Sequence, residues 1–116
     1  MTPNPSCIFC RIVDGSIPAT LVAENGHAVA FRDLHPQAPV HVLVIPRRHL
    51  DSLDAAHDEP ELLGAVLALA AEVARKEQVA ESGYRVVTNT GADGGQTVGH
   101  LHLHVLGGRS FSWPPG

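Results

Sequence analysis

Three histidines at alternate positions, His100, His102 and His104, lie in the run HLHLHVL over residues 100–106. In an extended strand alternate side chains share a face, so the three imidazoles project together. Leu101, Leu103 and Val105 project the other way, into a core. Neighbouring rings on such a face lie roughly 6–7 Å apart. An unperturbed imidazole titrates near pH 6.5, so at neutral pH one ring can be a neutral nucleophile while another holds a proton. A histidine that attacks phosphorus forms a covalent intermediate that water resolves. The same rings also suit metal ligation, as His-x-His pairs on strands do in zinc enzymes. Spacing alone leaves both chemistries open.

The loop before the triplet, TGADGGQTVG over residues 90–99, adds to this. Gly91, Gly94, Gly95 and Gly99 let the backbone turn with N–H groups exposed, and Gln96 and Thr97 add side-chain donors. Loops of this kind cradle anions. A phosphate held there would sit beside the imidazoles. Near the N-terminus, Cys7 and Cys10 form a C-x-x-C pair. That spacing supplies half of a zinc site, and in a reducing compartment it suggests metal or redox chemistry more than a structural disulfide.

The elements that must position these groups follow from the pattern of the chain. Its 116 residues make one domain, residues 7–116, after a loose Pro-rich tail over residues 1–6. Residues 7–13 make a short helical turn with Ile8, Phe9 and Ile12 inward. Residues 21–24 and 28–32 are strands around the Asn25-Gly26 turn. Residues 40–45 are a third strand stopped by Pro46. The stretch Asp58-Glu59-Pro60-Glu61 starts a helix, with Asp58 as acidic cap and Glu61 three residues on. That helix runs to about Gln78. Its apolar positions, Leu62, Leu63, Val66, Leu67, Leu69, Ala70 and Val73, exceed one stripe. The surplus points to packing on the sheet and on a second protomer. Residues 84–89 and 101–106 complete about five strands. The fold class is α+β, a mostly antiparallel sheet with one long and one short helix. Arg47 and Arg48 read as a solvated turn, and His27, His35 and His57 as loop histidines. A formal net charge of -4 argues against general nucleic-acid binding. No apolar run is long enough to span a membrane, the N-terminus lacks the features of a signal peptide, and the cytoplasm is the default location.

The chain resembles the histidine triad (HIT) family of nucleotide hydrolases and transferases. The resemblance rests on His100–Leu106, Asp33 with Pro36-Gln37-Ala38-Pro39, His41–Pro46, Gly94-Gly95-Gln96-Thr97, Leu106-Gly107-Gly108-Arg109 and Trp113-Pro114-Pro115-Gly116. Together these look like the Hint branch, and they cover nearly all of residues 7–116. The resemblance implies a homodimer with a continuous sheet that hydrolyses adenosine or guanosine 5'-phosphoramidates through a nucleotidyl-histidine. His102 matches the nucleophile, and His104 the contact to phosphate and leaving group. His100 and His41 match groups that orient the nucleophile. Asn89, Gly95, Gln96 and Thr97 match the phosphate loop, with Thr97 where the branch typically has Ser. Asp33 matches the acceptor for the ribose hydroxyls. Ile8, Phe9, Ile12, Phe31 and Leu34 match the purine slot. Trp113 would reach the leaving-group side of the partner's site. Bacterial relatives with the C-x-x-C pair imply a structural zinc on Cys7, Cys10, His49 and His100. The resemblance implies catalysis without a cofactor. Two alternatives stand beside this reading. One is a dinucleoside polyphosphate hydrolase or nucleotidylyltransferase of another HIT branch; the other is a metal-binding module built on the histidine triplet.

Overall fold

The computed structural model describes residues 4–116. Half of the expected loose tail, residues 1–3, lies outside them. Residues 4–6 form a turn in which Asn4 accepts from the Cys7 and Ser6 amides at 3.0 and 3.1 Å. The first helix, α1 (Ile8–Val13), follows, with the Cys7 sulfur accepting from the Cys10 amide.

Five strands make one sheet: β1 (Leu21–Glu24), β2 (Ala28–Arg32), β3 (Val40–Pro46), β4 (Tyr84–Val87) and β5 (Leu103–Gly107). Their order is β1-β2-β3-β5-β4, and every neighbouring pair is antiparallel. The expected α+β architecture is the observed one. The β1–β2 turn closes because the Asn25 side chain accepts from the His27 and Ala28 amides, both at 2.9 Å.

The central strands are buried on both faces, which is why β3 reads as a near-continuous apolar run. One face, with Ala28, Ala30, Val42, Val44, Leu103 and Val105, packs on the long helix α2 (Pro60–Lys76). The other, with Val29, Phe31, Leu43 and Ile45, packs on Phe9 of α1. Burial of each such Val, Leu or Phe is worth about 1.5–3 kcal/mol. Leu43 is the cross-strand partner of His104, so the histidines share the Phe9 face.

Helix α2 differs from the expectation at both ends. Pro60 opens it, but the cap residue is Glu59, not Asp58, and no side chain caps it. Glu59 instead forms an ion pair with Arg48, and Arg47 pairs with Glu24, so the arginine turn is braced. At the far end the Val79 amide bonds Ala74 and the Gln78 amide bonds Arg75. These are the two bonds of a Schellman stop, with Gln78 at φ 62° in the left-handed position that Gly usually fills. A single 3₁₀ turn at Asp54–Ala56, unsignalled in the sequence, leads into the helix. Of the seven apolar positions named for α2, Leu67 is exposed. Ile8 of α1 is also half-exposed rather than inward.

Strand β5 starts at Leu103, two residues later than the triplet pattern suggests. The Leu101 amide leaves the ladder to bond the Leu50 carbonyl at 2.7 Å. His100 is thereby turned toward the segment after β3, while His102 and His104 stay side by side.

Candidate active site

His102 and His104 lie with ring centroids 5.2 Å apart at a cavity of about 400 Å³. Hydrogen-bond partners assign the protons on each ring. The His102 Nδ1 lies 2.7 Å from the His100 carbonyl. A carbonyl only accepts, so Nδ1 carries the hydrogen and Nε2 keeps its lone pair. Phe9 holds the same ring edge-on at 5.2 Å.

His104 takes the opposite arrangement through a relay. The Gln37 amide donates to His41 Nδ1 at 3.0 Å. A neutral His41 therefore has its hydrogen on Nε2, which lies 2.9 Å from His104 Nδ1 and 3.4 Å from an Asp33 oxygen. His104 Nδ1 accepts, and its remaining hydrogen is on Nε2. Burial first, then the neighbouring His102 and His41, push the His104 pKa down to about 4. Burial lowers His41 as well, against the opposing pull of Asp33. With both rings neutral, the site thus presents a bare lone pair on His102 beside an N–H donor on His104. Asp33, His41 and His104 are also close enough to share a cation. The Gln37 bond puts a hydrogen on the nitrogen that would ligate it, so the cluster is a hydrogen-bond relay.

The cavity wall is mostly apolar. Phe9 and Phe31, in edge contact at 5.6 Å, line it with Ile8, Ile12 and Leu34. Asp33 and Thr97 sit on the same wall. The structure also brings in Ile17, Pro18, Ala19, Leu43, Val98 and His35, which the sequence reading passed over. Most come from loops with no pattern to announce them. Leu43 was legible in principle, because it alternates with the inward residues of β3.

Asn89, Gly95 and Gln96 are not among the lining residues, and their groups are engaged elsewhere. Asn89 Nδ2 donates to the Gly94 carbonyl at 2.7 Å, and the Gly95 amide to Ala92 at 3.1 Å. A side chain at Gly94 would collide with the Thr90 carbonyl, so only Gly closes this turn. Gln96 uses its whole amide: Oε1 accepts from Gly91, and Nε2 donates to the Asp51 and Val98 carbonyls at 2.6 and 3.0 Å. In this structure Gln96 staples the loop to the segment after β3. Trp113 lies outside the cavity, 81% exposed.

His100 belongs to a second constellation. Cys7, Cys10, His49 and His100 place one donor atom each within 4.8 Å of the others. His100 Nδ1 lies 3.3 Å from the Cys7 sulfur and 3.6 Å from that of Cys10, and His49 Nδ1 lies 3.3 Å from Cys10. Tetrahedral zinc–ligand lengths separate donors by about 3.3–3.8 Å. The outer nitrogens are also set: His100 Nε2 donates to the Pro46 carbonyl at 3.0 Å, and His49 Nε2 to Asp51 at 2.9 Å. Both inner nitrogens therefore present lone pairs, the arrangement by which outer partners ready a histidine for a metal. Burial, followed by the neighbouring Cys7, raises the Cys10 thiol pKa, so a cation bound there must displace the Cys10 proton. The four residues are positioned to hold a metal ion. His100 thus reaches His102 through its backbone carbonyl, not its ring.

Residues 14–111 match the HIT domain family. The chain belongs to the HIT family. It is 53% identical over 110 residues to an uncharacterized HIT-like protein of Synechocystis sp., covering 94% of this chain and 96% of that protein. Among solved structures it is similar to a HIT family hydrolase from Legionella pneumophila, at TM-score 0.92 and 48% identity, covering 96% of this chain and all of that one. A histidine triad protein from Clostridium difficile matches at TM-score 0.90 and 40% identity, with 94% and 96% coverage. HIT proteins act on nucleotide substrates. No helix among the described residues is long and apolar enough to cross a membrane.

Proposed function

We propose that this HIT protein is a purine nucleoside phosphoramidase of the Hint branch. The observation that carries the reading is the pair of opposed tautomers, a lone pair on His102 and an N–H on His104, at one apolar cavity. The purine lies between Phe9, Phe31, Ile8, Ile12 and Leu34, and the ribose hydroxyls donate to Asp33. His102 Nε2 attacks the α-phosphorus. A new P–N bond forms as the substrate P–N bond breaks, and the electron pair leaves with the amine nitrogen, which takes a proton from solvent. His104 Nε2–H donates a hydrogen bond to the phosphoryl group, and Thr97 stands on the same wall. The nucleotidyl imidazolium keeps its Nδ1–H on the His100 carbonyl, which stabilises the new positive charge. Water then attacks phosphorus, His102 departs as neutral imidazole, and the water proton passes to solvent. The product is a nucleoside monophosphate.

The ion held by Cys7, Cys10, His49 and His100 is zinc in this reading. Its donor set and spacing support a closed, structural site. It supplies a cross-link between the N-terminus and the segment that carries His102. Reduced thiols suit the cytoplasm. A homodimer is supported by β4, whose outer edge pairs with no strand among the described residues, and by exposed Leu67, Tyr84 and Val86. In that dimer Trp113 approaches the partner's leaving-group side.

The test is a side-by-side assay of an adenosine 5'-phosphoramidate and a diadenosine polyphosphate. Phosphoramidate turnover at least about a hundredfold faster in kcat/KM supports the reading, a margin of roughly 2.7 kcal/mol. Preference for the polyphosphate assigns the chain to another HIT branch.

A further inference from the structure

We propose that Arg109 is a positioning residue that sets which nitrogen of His104 carries the proton. Arg109 follows β5 after Gly108, five residues beyond His104 in the chain. Gly108 has φ 85°, and a side chain there would come within 2.8 Å of Pro39. This close approach lays the end of β5 against the loop before β3.

Across that contact Arg109 forks onto one atom. Its Nε and Nη2 donate to the Gln37 carbonyl at 3.2 and 3.1 Å, and Nη1 donates to the Ser110 carbonyl at 3.1 Å. Its guanidinium also lies 4.2 Å from the Phe111 ring centre. Among the described residues it forms no ion pair with a carboxylate. Its planar fork is spent on Gln37, the residue whose amide donates to His41 Nδ1. The bonds form a closed circuit: Arg109 to Gln37, Gln37 to His41, His41 to His104, and back along β5 to Arg109.

The circuit has a direction. The Gln37 amide is a fixed donor to His41, because a backbone N–H cannot become an acceptor. While it points at His41, the proton on His41 sits on Nε2 and that on His104 sits on Nε2. If Gln37 swings away, His41 can hold its proton on Nδ1 and accept from His104 instead. His104 would then offer the cavity a lone pair where the proposed reaction uses an N–H. The Gln37 side chain braces the loop only locally, donating to His35 at 3.0 Å. Arg109 adds a side-chain tie from the Gln37 carbonyl to the end of the strand carrying the reacting histidines.

The value of the N–H for catalysis rests on the phosphoramidase reading, but the tautomer itself does not. The experiment is long-range proton–nitrogen NMR of the histidine rings in the full chain, which reports the tautomer directly and needs no substrate. Arg109→Gln and Arg109→Lys are compared with Arg85→Gln. Arg85 flanks the same Phe111 ring and bonds the Ser112 carbonyl at 2.8 Å, so its loss loosens the tail without touching Gln37. The expected result is an Nε2–H form of His104 in wild type and Arg85→Gln, and a mixture in Arg109→Gln. Arg109→Lys, which keeps a donor, lies between them. In phosphoramidate turnover Arg109→Gln lowers kcat about tenfold with KM within about twofold. His104 signals in Arg109→Gln and Arg109→Lys that match wild type overturn the proposal. So does an equal change in Arg85→Gln. If the tautomers shift as expected but no phosphoramidate is turned over, the positioning role stands and the functional reading fails.

Discussion

The two ends of the histidine run use the same side chain for opposite purposes. At His100 the Pro46 carbonyl accepts from Nε2–H, so the Nδ1 lone pair turns to two sulfurs in a buried clamp. At His104 a donor from His41 occupies Nδ1, so an Nε2 proton remains beside an open cavity. Neither outcome is inherent in histidine. Each is set by a fixed backbone group: the Pro46 carbonyl, which only accepts, and, acting through His41, the Gln37 amide, which only donates. Between them, His102 is oriented by the backbone of the first end and works beside the ring of the second. In the proposed reading the triplet is a structural anchor joined to a reactive pair, and the two can be broken separately.

Breaking the anchor has the largest expected effect on stability. Cys10→Ser should abolish stoichiometric metal in elemental analysis and lower Tm by roughly 15 °C, about 3 kcal/mol. Phosphoramidase activity per folded molecule at low temperature should persist. Activity lost in step with metal, with Tm unchanged, would mean the metal acts in the chemistry.

Breaking the relay comes next. His41→Phe removes the donor to His104 Nδ1 while keeping an aromatic ring of similar size. It should lower kcat about a hundredfold, close to 2.7 kcal/mol, with metal content intact. Equal loss of metal and activity would join the two ends that the geometry separates.

Gln96→Ala should have a smaller effect. Removing the staple leaves the Gly91 amide and the Asp51 and Val98 carbonyls without their partner, costing about 1–2 kcal/mol in thermal unfolding. Because Asp51 also holds His49, metal should exchange faster in a chelator-competition assay. A changed KM with unaltered stability would restore Gln96 to the phosphate loop as a direct contact.

Acid sensitivity is the mildest test. The folded pKa of His104 lies near 4, below the unfolded value of about 6.5. Above pH 6.5 neither state is protonated there. As pH falls toward 4 the unfolded chain takes up a proton that the folded chain refuses, so stability is lost across that window. Tm measured from pH 7 to 4 should fall less steeply in His104→Asn than in wild type. Parallel slopes would place the acid sensitivity elsewhere.

These contrasts also show what a one-dimensional reading reaches. β1 and β2 were legible to the residue, because the Asn25-Gly26 turn between two short apolar stretches is a local signal. So were Cys7 and Cys10 as half of a metal site, and Phe9, Phe31, Asp33 and Thr97 as cavity residues. Less legible was anything decided by a distant acceptor. Glu59 and Arg48 pair across the turn, and no local rule weighs that against a cap at Asp58. The late start of β5 depends on Leu50, and the retirement of Gln96 from the cavity on Asp51. Gln37 and Arg109 stood within the quoted motifs. Their link is visible only once Gly108 is seen against Pro39.

The central claim is that His102 is the nucleophile and His104 the donor beside it. Alkaline quenching during turnover of an adenosine phosphoramidate, followed by peptide mass mapping, tests it directly, because the P–N bond of a nucleotidyl-histidine survives base. The account predicts an adenylyl adduct on His102, absent from His102→Ala, with none on His104. An adduct on His104, or full turnover by His102→Ala, would contradict it.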